Sequence, residues 1–326
     1  MKETITMSTT RSRSPWRVPL ALLAVLMLFL AACGKDSDSK SDSGSKSDNG
    51  TKVDGGTKKA SLSLRPQDFA ESVTLTEVYA QFLKAKGYDT TVQKPDGAFR
   101  EGVYPALKGG DADIVIDYTG SGATFLDPKG KPSADSEKTY ERLTAALGTK
   151  LKAGAFSPAE DKNALVVLKS FADKNNLTKI SDLAKVDGVV FGGSAQCIER
   201  EDCLLGYQGA TYGLNFKSVK TLEYGPPLAA GLKSGDIDAA QYQTTAPEIA
   251  SGDFVVLEDD KGLLSADNIV PIVAADKADA ELIAALDELS KQLTTEDLIA
   301  WNVKTDIDKE ESVDVATAWL KEKGLI

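Results

Sequence analysis

Tyr104-Pro-Ala-Leu-Lys-Gly-Gly-Asp-Ala-Asp-Ile-Val-Ile-Asp-Tyr-Thr-Gly-Ser-Gly122 carries the reading of the fold. Its first part is a short helix over about 103–108, stopped at Gly109-Gly110, because glycine accepts the left-handed conformation that ends helices. Asp113 to Tyr118 follows as a short apolar run, the pattern of a buried strand. The chain then runs into Thr119-Gly120-Ser121-Gly122, whose plain reading is a strand-end turn. The motif returns as Leu228-Ala-Ala-Gly-Leu-Lys-Ser-Gly-Asp-Ile-Asp-Ala239. Both copies read helix, Leu-Lys, glycine turn, Asp-x-Asp, strand. A twofold βαβ architecture produces such an echo, and so does reuse of a common helix-to-strand connector.

The flanking sequence continues the alternation. Ser61 to Leu64 alternates like a half-buried strand. Thr74 to Lys86 is a helix, with Thr74 and Glu77 in a capping-box pattern and Leu75, Val78, Tyr79, Phe82 and Leu83 on one stripe. Tyr88 to Gln93 is a second strand. After a helix near 136–147 come strands near 164–168, 189–191, 218–222, 237–242, 254–257 and 269–274, with a helix near 228–233. Three helices close the chain, near 279–293, 295–303 and 311–323. Strand–helix alternation predicts parallel sheets with right-handed crossovers. The strands are too many for one small sheet, so two α/β lobes are expected.

Composition narrows the chemistry. The 326 residues include no histidine, so the Ser-His-Asp and Cys-His designs and histidine-ligated metals are excluded. A net charge of −11 argues against a nucleic-acid partner. The N-terminus has Lys2, Arg11, Arg13 and Arg17, then the apolar run Leu20 to Leu30, then Ala31-Ala32-Cys33. These are the parts of a secretory signal. Leu30-Ala-Ala-Cys33 also resembles the bacterial lipobox, in which the cysteine becomes the lipidated first residue; the alternative is an ordinary signal peptide with a chance cysteine. Residues 34 to 59 hold no apolar side chain except Val53. Such a segment buries too little surface to order itself and is expected to be a flexible tether. Its aspartates lack EF-hand spacing.

With Cys33 assigned to lipid, Cys197 and Cys203 remain, six positions apart. Export favours a disulfide, which stabilises by about 2 kcal/mol for so short a loop. Two thiols without histidine make poor zinc ligands, and no metal or cofactor is expected.

Ligands of open α/β sheets bind beyond the carboxyl ends of strands. That rule selects Asp117, Tyr118 and Thr119, the segment Gly192-Gly193-Ser194-Ala195-Gln196, and Gln241-Tyr242-Gln243-Thr244-Thr245. The Gly192 segment is neither a P-loop nor a nucleophile elbow. The plain alternative for Asp117 to Thr119 is a strand-end turn with a structural tyrosine. Tyr79 and Phe82 belong to a core stripe, Trp301 and Trp319 to packing helices, and Tyr212 and Phe216 to the framework.

Gly87-Tyr88, Tyr104 to Asp111 and Asp117-Tyr-Thr-Gly120 resemble the osmoprotectant branch of ABC-importer substrate-binding proteins. The resemblance extends through the Cys197–Cys203 loop, Tyr212-Gly-Leu-Asn-Phe216, Leu257 to Leu263, Asn268-Ile-Val-Pro271 and Leu293 to Leu298. It implies a two-lobed α/β periplasmic-binding-protein type II fold with a ligand cleft between the lobes. Residues 1–32 would be the signal peptide and 33–59 the lipid-anchored tether. Lobe 1 would be 60–160 plus 265–326 and lobe 2 161–264, with crossing strands near 162–168 and 254–258. It implies capture of a quaternary ammonium solute such as glycine betaine or choline, and delivery to a membrane permease by an extracytoplasmic, membrane-anchored monomer. A quaternary ammonium offers no N–H, so recognition falls to aromatic faces and carboxylates. The aromatic candidates are then Phe69, Tyr118, Tyr207, Tyr224 and Tyr242. Phe69-Ala-Glu71-Ser72 resembles a family segment in which Gln usually stands at Ser72, and it adds Glu71 and Ser72. Gln196, Gln243 and Thr244 complete the candidate set. The rival readings are another small solute, a sensor docking on a membrane receptor, or a carboxylate-dependent enzyme using Asp117 and Glu71.

Overall fold

The computed structural model describes residues 59–326. The expected signal peptide, the expected lipidation site Cys33 and the expected tether up to residue 58 lie outside the described residues. Among the described residues, ten strands form two five-stranded sheets. In chain order they are β1 (Ser61–Leu64), β2 (Asp89–Val92), β3 (Ile114–Tyr118), β4 (Leu151–Ala153), β5 (Asn163–Leu168), β6 (Val190–Gly193), β7 (Ser218–Thr221), β8 (Ala239–Gln243), β9 (Phe254–Leu257) and β10 (Ile269–Ala274). The first sheet runs β2-β1-β3-β10-β4 and the second β7-β6-β8-β5-β9. The two orders are the same pattern, three parallel strands followed by two more. Beside β3, β10 is antiparallel, as is β5 beside β8. The wholly parallel expectation fails at these strands, because each is the first strand after the chain crosses from the other lobe and so enters its sheet in the reverse direction.

The internal echo reflects this repeat. α1 (Ala70–Ala85), α2 (Arg100–Gly109) and α3 (Thr119–Leu126) pack on the first sheet. α2 ends at Gly110, φ 85°, and its counterpart helix Pro226–Ser234 ends at Gly235, φ 75°. The second aspartate of each Asp-x-Asp then performs one task. The Asp113 carboxylate accepts from the Ser63 N–H at 2.8 Å, and the Asp238 carboxylate accepts from the Val190 N–H at 2.8 Å. Each ties its incoming strand to the parallel neighbour.

Two local expectations need correction. α1 begins at Ala70 rather than Thr74. Thr74 does not cap; its hydroxyl donates to the Ala70 carbonyl one turn back. Thr119-Gly-Ser-Gly122 is the first turn of α3, not a loop. Its glycines are there for close approach: a Cβ on Gly120 would stand 2.4 Å from the Ala266 carbonyl, and one on Gly122 2.9 Å from the Tyr104 hydroxyl.

Each sheet has an apolar cluster on both faces. Trp301 and Trp319 meet edge to face at 5.1 Å in the first lobe's larger cluster, which confirms packing roles. The chain crosses between the lobes twice, in residues 154–162 and 258–268. The crossings lie side by side, joined by an antiparallel bridge between Glu160 and Asn268 and by the Asp161 N–H donating to the Asp267 carbonyl at 3.0 Å. β5 and β9 lie wholly within the second sheet. Among the described residues no helix is long and apolar enough to cross a membrane.

Candidate functional site

The central parallel strands β3 and β8 end at one cavity of about 610 Å³ in the cleft, inside the size range of small-molecule sites. Its first-lobe wall is aromatic. The Phe69 ring lies 6.3 Å from Phe99 and 6.1 Å from Tyr118 between centroids. The second lobe contributes Tyr224, whose ring is 5.5 Å from that of Tyr242.

The early start of α1 places Glu71 in its first turn, where the helix dipole favours an anion. Glu71 is 6% exposed. It accepts from Tyr118 Oη at 2.7 Å, Thr245 Oγ1 at 2.8 Å and Asn302 Nδ2 at 2.5 Å. Asp161, 7% exposed on the first crossing, accepts from the Thr245 N–H at 3.2 Å. Thr245, beyond β8, therefore links both carboxylates. Neither has a basic partner among the described residues. Burial raises the pKa of both; the like charge of Glu71 raises Asp161 further. Asp306 faces Glu71 and raises it, against the lowering by its three donors.

Asp117, Asp267 and Arg200, by contrast, have partners. Asp117 is fully buried and accepts from Arg100 Nη2 at 2.6 Å, Arg100 Nε at 3.2 Å, Tyr104 Oη at 2.9 Å and Gln67 Nε2 at 3.0 Å. Asp267, on the second crossing, accepts from the Gly120 and Ser121 N–H groups and Ser121 Oγ. Burial pushes it up to about 7, against the opposing pull of Arg100. Arg200 donates to Asp202 through Nε at 2.9 Å and Nη2 at 2.8 Å. The basic side chains lining the cavity, Arg100 and Arg200, are thus both paired with aspartates, while Glu71 and Asp161 are not. Buried charges are normally paired, so a cation placed in this cavity would supply the partner that Glu71 and Asp161 lack.

Of the sequence candidates, the cavity brings together Phe69, Glu71, Tyr118, Gln196, Tyr224 and Gln243. The other six stand away from its lining. Ser72 is buried and accepts from the Gln67 N–H. Asp117 is engaged by Arg100, and Thr119 Oγ1 accepts from the Asn268 N–H. Tyr207 packs against Phe191. Tyr242 donates to the Gly225 carbonyl, and Thr244 Oγ1 accepts from the Lys162 N–H. Strand-end position selected Asp117, Thr119, Tyr242 and Thr244, but alternate strand residues face opposite sides; Ser72 came from the Phe69 segment and Tyr207 from the aromatic candidates. Sequence reasoning missed Phe99, Arg100, Asp161, Arg200 and Asn302, and it named the segment holding Gln241 and Thr245 without carrying those two into the candidate set. Cys197 and Cys203 form a disulfide with Cα atoms 5.4 Å apart.

Residues 61–322 match the family model for the substrate binding domain of the ABC-type glycine betaine transport system. The chain is 27% identical over 284 residues to a glycine-betaine-binding protein of Pseudomonas aeruginosa, covering 82% of this chain and 89% of that one. It is 27% identical over 231 residues to an ergothioneine transport permease/ergothioneine binding protein of Helicobacter pylori, covering 68% of this chain and 40% of that one. The fold is similar to that of a glycine betaine/carnitine/choline ABC transporter crystal structure, with a TM-score of 0.70 at 20% identity over 81% of this chain and 99% of that one.

Proposed function

We propose, from the premise that this chain belongs to the family of substrate-binding domains of ABC-type glycine betaine transport systems, that it captures a quaternary ammonium solute in the interlobe cavity. Members of this family bind and hand over solutes and are not enzymes. The observation that carries the reading is the pair of buried, cation-free carboxylates, Glu71 and Asp161, beside the wall of Phe99, Phe69 and Tyr118. The cation sits against that wall, where each aromatic face contributes about 0.5–2 kcal/mol. Glu71 and Asp161 neutralise it without needing an N–H from the ligand. A ligand carboxylate is received by Arg200 and the amides of Gln196, Gln241 and Gln243 on the second lobe.

Ligand contacts to both lobes favour the closed arrangement, a population shift with no bond made or broken. The lobes are residues 60–160 plus 265–326 and residues 161–264. The closed form is presented to a membrane permease, with the exported protein held at the cell membrane through lipidated Cys33. Thermal shift of the purified protein tests the ligand class. At one hundred times Kd a true ligand stabilises by about 2.7 kcal/mol, roughly 5 °C for a chain of this size. The panel is glycine betaine, choline, carnitine, proline betaine and, given the Helicobacter relative, ergothioneine. If none moves the melting temperature, the assignment fails.

A further inference from the structure

The Cys197–Cys203 bond lies at the cavity, where both cysteines are buried lining residues. A cystine spanning six residues constrains little of the unfolded chain, so its position invites a local explanation. Midway between the two cysteines in sequence stands Arg200, the basic side chain that the second lobe sends to the cavity.

The backbone of Arg200 is bonded to both cysteines. Its N–H donates to the Cys197 carbonyl at 3.2 Å, and its carbonyl accepts from the Cys203 N–H at 3.2 Å and the Leu205 N–H at 3.2 Å. The guanidinium is clamped by Asp202 of the same loop through two bonds. Asp202 is held in turn by Asn163 Nδ2 at 3.3 Å, and Asn163 Oδ1 accepts from Gln241 Nε2 at 3.2 Å. The flanking helices Ala195–Ile198 and Leu204–Gln208 are single turns, too short to hold the loop unaided. The sulfur of Cys197 packs on the end of β6, where a Cβ on Gly193 would stand 2.9 Å from it. Arg100 is not an equivalent anchor, because it lies 5.9 Å from the Tyr118 ring, at the aromatic, cation-binding end.

We propose that the Cys197–Cys203 disulfide is a positioning element for Arg200, and that through it the loop sets the preference for zwitterionic betaines over cations that lack a carboxylate. This inference rests on the proposed function, in which Arg200 receives the ligand carboxylate. The disulfide fixes the arginine backbone and Asp202 fixes its fork, so a carboxylate meets donors already aimed. Choline, with no carboxylate, does not use this end of the site.

The test is calorimetry of the purified protein with glycine betaine and choline as probes. In the C197S/C203S double variant, glycine betaine affinity should fall about tenfold or more while choline affinity changes less than about threefold. Asp202→Asn, which keeps the disulfide, should shift the ratio in the same direction. Arg200→Ala should weaken glycine betaine in the wild-type background and add nothing in the double variant, since groups acting through one another are not additive. An unchanged ratio in both the double variant and Asp202→Asn overturns the inference, as does an additive Arg200→Ala effect. A wild-type protein that binds neither probe sinks the underlying reading and this inference with it, a result distinct from an unchanged ratio.

Discussion

Protons and ligand should compete for the Glu71–Asp161 pair. In the empty cleft, burial holds both carboxyls above their ordinary values of 4.5 and 3.8. The folded protein then keeps a proton that the unfolded chain releases, so stability of the empty protein falls as pH rises from those values through the raised ones. A bound quaternary ammonium reverses the preference by favouring the ionised pair. Affinity for choline, which has no group titrating in this range, should therefore rise with pH through the same window and level off above it. The limit is tenfold per pH unit for each proton released, or about 1.4 kcal/mol. Other ionisable groups face the pair: Tyr118 and Asp306 near Glu71, Asp267 and Tyr224 near Asp161, and Arg100 behind Tyr118. Asp267, pushed up to about 7, adds to the slope near neutrality.

Glu71→Gln separates these contributions. A cation and a carboxylate about 5 Å apart interact by about 3 kcal/mol at an effective dielectric constant near 20, so the substitution should weaken choline about a hundredfold at pH 8. It should also flatten the slope, because Asp161 loses its like-charged neighbour. The assay is calorimetry from pH 5 to 8 in two buffers of different ionisation enthalpy, which counts protons released. A wild-type affinity constant across that range, with no buffer dependence, would refute the reasoning.

Arg100→Ala should destabilise the fold by about 3–5 kcal/mol in urea unfolding, because it leaves the carboxylate of Asp117 buried and unpaired; a loss under 1 kcal/mol would contradict this. Gly122→Ala should cost about 1–3 kcal/mol by the same measurement, since its Cβ would meet Tyr104 Oη at 2.9 Å, Asp117 Oδ2 at 3.0 Å and Leu143 Cδ1 at 3.2 Å. Tyr118→Phe keeps the ring and removes the donor to Glu71, so it should weaken choline less than Tyr118→Ala does; equal losses would place the whole effect in the hydroxyl.

Much of the fold was legible because apolar periodicity and glycine stops are local signals. The motif at 104–114 and its echo at 228–239 marked the repeated connector, down to the aspartates that bind the neighbouring strand. Thr119-Gly-Ser-Gly122 misled for a physical reason. Glycine in a helix ordinarily signals a break, whereas here it answers steric demands from Ala266 and Tyr104 that appear only in three dimensions. The site was half legible. Phe69, Glu71 and Tyr118 came from a motif and a strand end. Asn302 reaches Glu71 across 231 positions, and Thr245 joins Glu71 to Asp161, so neither pairing has a local sequence signal. Arg200 did have one: it stands between two cysteines six apart, and only the staple was read there.

The central claim is that this cavity recognises positive charge. The most direct measurement compares choline with its neutral carbon isostere, 3,3-dimethyl-1-butanol, by calorimetry at pH 8. The two have nearly the same shape and differ in one charge. With Glu71 and Asp161 unpaired beside the aromatic wall, choline should bind at least about a hundredfold more tightly. Equal affinity for the two would mean that the cavity selects by shape and apolar contact alone, and would contradict the account.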